Sequence, residues 1–228
     1  MTTPIKGISS MATRLVLTEL VAAFQRRSGA NVVIESVGGV DAARRVQAGE
    51  AFDFVILASD AIDTLIASGH LRSDSKVELV RSSVAVAVRA GAPEPDISTE
   101  HALLDVVRTA RSIGYSTGPS GVALARLFER WGIAQDIKDR IVIPPPGTPV
   151  ATLVASGEVE LGFQQFSELM HQESIHVLGA LPPAIQIITS FCAGVGSGTR
   201  QLGAVRALLD DMNSPAADSI KRRHGMVP

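Results

Sequence analysis

Two well-separated stretches of this chain spell one pattern, and that echo limits its folds more than any other feature. Gln47-Ala-Gly-Glu-Ala-Phe-Asp-Phe-Val-Ile-Leu-Ala-Ser-Asp60 reads as a helix end, Gly-Glu, an apolar strand and a Ser-acid pair. Ser156-Gly-Glu-Val-Glu-Leu-Gly-Phe-Gln-Gln-Phe-Ser-Glu168 reads the same way. Aligning Gly49 with Gly157 sets Glu50 on Glu158, Ser59 on Ser167 and Asp60 on Glu168. Upstream of each lies a strand–Ser–helix unit: Ile8-Ser9-Ser10 in one half, Tyr115-Ser116 through Ser120 in the other. Two copies are too few for a solenoid, so the echo suits two similar lobes with a cleft between them. Ordinary α/β chains also repeat such units, and the echo alone leaves that reading open.

The punctuation between elements supports the same class. A helix with Leu17, Leu20, Val21 and Phe24 on one stripe follows Ser9-Ser10 and is stopped by Gly29. Asn31–Ser36 is β-branched, Gly38-Gly39 makes a loop, and a helix follows over Asp41–Ala48. Phe52–Leu57 is a continuous apolar strand of the kind buried on both faces of a parallel sheet, with Ser59-Asp60 capping the next helix. In the second half, Ser112–Tyr115 runs through a polar turn into a helix that starts near Ser120. Pro144-Pro-Pro-Gly147 is a turn, Thr148–Ala155 a helix, and Val159–Phe163 a strand followed by Gln164-Gln165. The alternation predicts an α/β fold with mostly parallel strands.

A chain of 228 residues, 46% hydrophobic, is long enough for one or two domains. Its formal net charge of −2 and its short basic clusters give no electrostatic argument for nucleic acid. Cys192 is alone in an apolar run and reads as a buried small hydrophobe. The five histidines show no metal-ligand spacing, so no metal and no other cofactor is expected. The N-terminus has no apolar segment of the signal-peptide kind, and no stretch reads as a membrane span. The expectation is a cytoplasmic protein as written, or a periplasmic one if a leader has been removed.

The candidate site residues cluster where strands end. Ser9, Ser10, Gly38, Gly39 and Ser59 do so in the first half. Ser116, Thr117, Ser120, Gly121, Pro149, Gln164 and Gln165 do so in the second. In open α/β sheets ligands bind outside the carboxyl ends of strands, and hydroxyls, amides and helix N-termini suit a small anion there. Ser9, Ser10 and Ser120 read equally well as anion ligands or as N-cap residues. Gln164 and Gln165, directly after an apolar strand, need partners if buried; otherwise they make ordinary loop contacts. Tyr115 could donate to a ligand or pack beneath the turn. Arg14 could pair with a carboxylate or lie in solvent.

These segments resemble the type II periplasmic-binding-protein fold, in particular the molybdate-binding-protein-like group of substrate-binding proteins. The resemblance rests on Gly7-Ile-Ser-Ser-Met11, Ala48-Gly-Glu50 with Ile56-Leu-Ala-Ser-Asp60, Val86-Ala-Val-Arg-Ala-Gly-Ala-Pro93, Tyr115-Ser116 with Ser120-Gly121, and Gly157-Glu with Leu161-Gly-Phe-Gln-Gln165. It implies two lobes joined by two crossing strands, near Ser83–Arg89 and Ile187–Ala193, with the ligand between them. The N-terminal lobe would hold residues 1–84 and 191–228, the C-terminal lobe residues 85–190. The sequence also resembles a branch of this group that contains aconitate isomerase.

The resemblance implies a small carboxylate or oxyanion as ligand, with no nucleic-acid partner and no membrane insertion. The chain is expected to act as a monomer or weak dimer. One reading is a cofactor-free isomerase of an unsaturated polycarboxylate, with Arg14 and the helix N-termini at Ser10 and Ser120 as candidates for holding charge, and Ser9, Ser10, Tyr115 or a carboxylate as candidates for moving the proton. The other is a molybdate- or oxyanion-binding subunit working with an ABC permease if exported, or a ligand sensor.

Overall fold

A computed structural model describes residues 3–145 and 147–228. In chain order the elements are β1 (Ile5–Ser10), α1 (Arg14–Ser28), β2 (Val32–Val37), α2 (Gly39–Gln47), β3 (Phe54–Ala58), α3 (Ser59–Ala67) and β4 (Val77–Arg89). There follow α4 (Glu100–Thr109), β5 (Ile113–Tyr115), α5 (Pro119–Arg130), α6 (Ala134–Ile137), β6 (Ile141–Val142), α7 (Val150–Ser156) and β7 (Leu161–Gln165). The chain closes with α8 (Phe166–Leu169), β8 (Ile175–Ala180), β9 (Ile188–Val195), α9 (Leu202–Met212) and α10 (Asp218–Arg223). Of the Pro144–Gly147 turn, Pro146 lies outside the described residues.

The chain divides into two compact units. One holds residues up to Arg81 together with Ser190–Pro228; the other is Ser82–Thr189. The chain leaves the first unit within β4 and returns to it within β9.

In the first unit β1 pairs in parallel with β2 and with β3, and β3 pairs antiparallel with the Phe191–Val195 end of β9. Successive side chains of a strand point to opposite faces, and β3 shows it. Phe54 and Ile56 pack with Leu17, Leu20, Phe24 and Leu208 on one face. Val55 and Leu57 pack with Ile62, Leu65 and Cys192 on the other. All of β3 is buried, and each large aliphatic or aromatic side chain so placed contributes about 1.5–3 kcal/mol. Gly29 and Gly157 end α1 and α7 in the left-handed region, at φ 70° and 83°.

The second unit is built alike, with an antiparallel addition. β5 pairs in parallel with β6 and β7. β4 pairs antiparallel with β7 and with β8. Val84, Val86 and Val88 face a cluster holding Leu103, Leu124 and Phe128, while Ala85 and Ala87 face Val150, Val154 and Leu169. The expected mostly parallel arrangement is therefore corrected: the parallel strands of each unit carry antiparallel neighbours. An all-apolar strand records burial on both faces but not the direction of its partner.

Three local expectations also change. Ser59 and Asp60 are the first residues of α3, with Ala58 at the cap, so they do not cap it from outside. Gly39 is the first residue of α2 rather than loop. Gln164 and Gln165 are the last residues of β7 rather than its sequel. Among the described residues no helix is long and apolar enough to cross a membrane.

Candidate functional site

In the first unit the strand order β2-β1-β3 makes the chain leave β1 toward one side and approach it later from the other. Ligands of open α/β sheets bind at such a switch point, outside the carboxyl ends of the strands. Ser9 and Ser10 stand there. Parallel register sets Ser9 beside Ser36, and their hydroxyl oxygens are 2.8 Å apart. Ser10 begins a tight turn over Met11–Thr13, and its carbonyl accepts from Thr13 Oγ1 at 3.0 Å. Its own hydroxyl caps nothing: Ser10 Oγ is buried and, among the described residues, has no hydrogen-bond partner.

The start of α2 lies against that hydroxyl. A Cβ on Gly39 would sit 3.6 Å from Ser10 Cβ, and Gly38 holds the cap position. The N–H groups of a helix's first turn have no partner within the helix. Arg14, the first residue of α1, is exposed. It lines a surface depression together with Thr18, Gln25, Ile34 and Ser36. Ser59 belongs to a different setting, beside Cys192. Burial pushes the Cys192 thiol up, and the Ser59 hydroxyl opposes that.

In the second unit β6-β5-β7 forms the equivalent switch point. The register pairs Tyr115 with Phe163, so Ser116 leaves β5 at the level of Gln164. The Ser116–Gly118 turn folds tightly onto α5: a Cβ on Gly121 would lie 1.6 Å from the Ser116 carbonyl oxygen. Only glycine fits there. Ser120, the second residue of α5, is buried, whereas Thr117 is exposed. Tyr115 packs edge-on against Phe128, ring centroids 6.0 Å apart, and burial pushes its phenol up. At neutral pH that phenol can donate a hydrogen bond but cannot serve as a base. Pro149 takes the cap position of α7, where an N–H would go unused.

Gln164 and Gln165 are 4% and 3% exposed, so their amides must be accounted for. Gln164 Oε1 accepts from the Ala151 N–H at 3.2 Å, and its Nε2 donates to Glu168 Oε1 at 2.9 Å. Gln165 Nε2 donates to Thr189 Oγ1 at 2.7 Å, and among the described residues its buried Oε1 has no partner. Glu168 keeps part of its surface open, yet burial pushes its carboxyl up to about 7, with the Gln164 amide pulling it back.

The structure thus gathers Ser9, Ser10, Gly38 and Gly39 in one unit. In the other it gathers Tyr115, Ser116, Ser120 and Gly121 with Gln164 and Gln165. It sets Ser59 apart. Sequence reasoning passed over two participants. Ser36 is visible only through strand register. Glu168 was aligned with Asp60 but not singled out; its spacing of four from Gln164 is the signal. Among the described residues no cluster of His, Cys, Asp and Glu could hold a metal ion.

Comparison with known proteins shows the family and the fold. A family model described as bacterial extracellular solute-binding protein matches residues 5–227. The chain is 35% identical over 234 residues to an aconitate isomerase from Pseudomonas sp, covering 99% of this chain and 88% of that protein. The periplasmic molybdate-binding protein of Azotobacter vinelandii superposes with a TM-score of 0.82 at 19% identity, covering 98% of this chain and 99% of that one. A sulfate-binding protein from Mycobacterium tuberculosis gives 0.81 at 16% identity, covering 99% and 86%. At such identities the structural likeness is one of fold, the type II periplasmic-binding-protein fold. Two switch-point units linked through β4 and β9, and a family match running from β1 to the penultimate residue, make this chain a member of the bacterial extracellular solute-binding protein family.

Proposed function

We propose that this protein binds a small unsaturated polycarboxylate at the strand-end groups of its first unit and moves its double bond by a 1,3-proton shift, without a cofactor. Arg14 carries the reading. Among the described residues its guanidinium has no ion-pair partner, and it shares a depression with Ser36, the partner of Ser9. A tetrahedral oxyanion can be held by hydroxyls and N–H groups alone, whereas a polycarboxylate calls for a guanidinium as well. Ser10 Oγ, buried and unpaired, supplies a further donor. The 35% identity to an aconitate isomerase over nearly the whole chain supports the same substrate class.

A second reading is favoured by the hydroxyl and N–H groups around Ser9, Ser10 and Gly39: an oxyanion-binding protein that would work with an ABC permease outside the cytoplasmic membrane. Incubation of the purified protein with cis- or trans-aconitate, followed by proton NMR, separates the two. Interconversion that drops at least about 10-fold in kcat/KM on Arg14→Ala is expected for the isomerase, the loss of one charge-assisted contact. No interconversion, together with tight molybdate binding by calorimetry, would overturn it.

A further inference from the structure

We propose that the ligand carries an apolar arm beside its carboxylates, and that the arm lies in the depression between α1 and β2, along the line from Arg14 toward Gln25. This rests on the reading of Arg14 above as a carboxylate anchor. It narrows the substrate class to alkyl-bearing polycarboxylates.

The depression follows from where the sheet stops. α1 sets Leu17, Leu20, Val21 and Phe24 into the core with Ile5 of β1 and Phe54 of β3. Among the described residues no strand continues the sheet beyond β2. A hollow of about 440 Å³ is left between one stripe of the helix and one face of that edge strand. Arg14, Thr18, Ala22 and Gln25 recur at helical spacing, and Ile34 and Ser36 at strand spacing. The volume falls in the range of sites that take organic ligands, about 300–1,000 Å³.

Its chemistry changes along its length. Arg14 and Ser36 stand at the end where β2 finishes, and Ser36 is bonded to Ser9. The middle is apolar, made by Leu17, Val21, Ala22 and Ile34. No acid lines it. Glu35, between Ile34 and Ser36, belongs to the other face of the strand and holds Arg45. At the far end Gln25 Oε1 accepts from the Val32 N–H at 2.7 Å, which leaves the amide NH2 to donate elsewhere.

Arg14 and Gln25 are separated by about 16 Å of helix rise. A bare oxyanion at Arg14 would leave the apolar stretch in water. A hydrocarbon chain on the same molecule would cover it, and half-covering each methylene is worth about 2-fold in affinity. The guanidinium therefore fixes the acid, while Ala22 and Ile34 determine which substituent is preferred. An acidic wall would have called for a cationic ligand; here the one charge is positive and the rest of the floor is apolar.

The test measures binding of succinate and butylsuccinate by calorimetry to wild type, Ala22→Gln and Arg14→Ala, with thermal melts of each, beside the aconitate assay above. Wild type should bind butylsuccinate at least about 5-fold more tightly than succinate. Ala22→Gln sets an amide on the floor and should bring the two acids within about 2-fold of each other. Arg14→Ala should weaken both at least about 10-fold. Equal affinity of wild type for the two acids, or no binding of either, would overturn the arm, and interconversion of aconitate would then leave the isomerase reading standing. A gain from the butyl chain without interconversion would sink the isomerase reading and leave the arm in place. A gain that survives Ala22→Gln would put the chain elsewhere and overturn the assignment. A dimer in light scattering that Ala22→Gln dissociates would overturn it in favour of a second copy on this face. Should Ala22→Gln not fold, amide NMR of wild type decides. Shifts over residues 18–25 and 34 with butylsuccinate but not with succinate support the arm, and their absence overturns it.

Discussion

At matching positions of the echoed strands, β3 carries Ile56 and Leu57 while β7 carries Gln164 and Gln165, and all are buried. The acids that follow diverge in the same way. Asp60 is exposed, and its carboxylate accepts from the neighbouring Ala61 N–H. Glu168 turns back onto Gln164. A buried amide costs free energy unless its hydrogen bonds are made, whereas Ile and Leu gain from the same burial. The first unit therefore uses this strand end as core and takes its polar groups from β1 and β2. The second spends a core position on polar groups, and one of them, Gln165 Oε1, is left without a partner. Similar topology thus yields a hydroxyl-lined strand end in one unit and an amide–carboxyl network in the other.

The sharpest way to break the comparison is at the glycines beside each strand end. Gly121→Ala drives a Cβ into the Ser116 carbonyl and should cost more than about 3 kcal/mol by urea denaturation. Gly39→Ala meets only ordinary contact and should cost under about 1 kcal/mol.

The carboxyl network should show in the pH dependence of stability. Glu168 titrates near 7 when folded against 4.5 when free, so the folded state binds the extra proton in between. Its contribution is complete below about 4.5 and is lost as pH rises through about 7. Across that window wild type should lose up to about 3 kcal/mol relative to Glu168→Gln. Parallel profiles would contradict the raised titration.

Giving β7 the residue that β3 has, by Gln164→Ile, strands the Ala151 N–H and the Glu168 carboxyl. A loss of about 2 kcal/mol is expected by denaturant melts, smaller at pH 5 where the carboxyl is neutral. The smallest effects separate the adjacent serines. Ser9→Ala breaks the bond to Ser36 and should cost about 1 kcal/mol. Ser10→Ala removes a hydroxyl with no partner among the described residues and should leave stability within about 0.5 kcal/mol while weakening ligand binding. A large stability loss at Ser10 would mean that its hydroxyl serves the fold.

Taken alone, the sequence determined the α/β class, the order of strands and helices, the glycine stops at Gly29 and Gly157, and the clustering of serines and glutamines at strand ends. Those follow from periodicity and local backbone preference, which neighbouring residues settle among themselves. Only the tertiary structure decided that β3, β4, β7 and β9 meet antiparallel neighbours. It alone placed Ser36 beside Ser9 and sent Ser59 toward Cys192. It alone left Ser10 Oγ without a partner and tied Gln164 to both Ala151 and Glu168. Strand direction and hydrogen-bond satisfaction depend on partners far along the chain, and an apolar run or a lone serine reads the same whichever partner it meets.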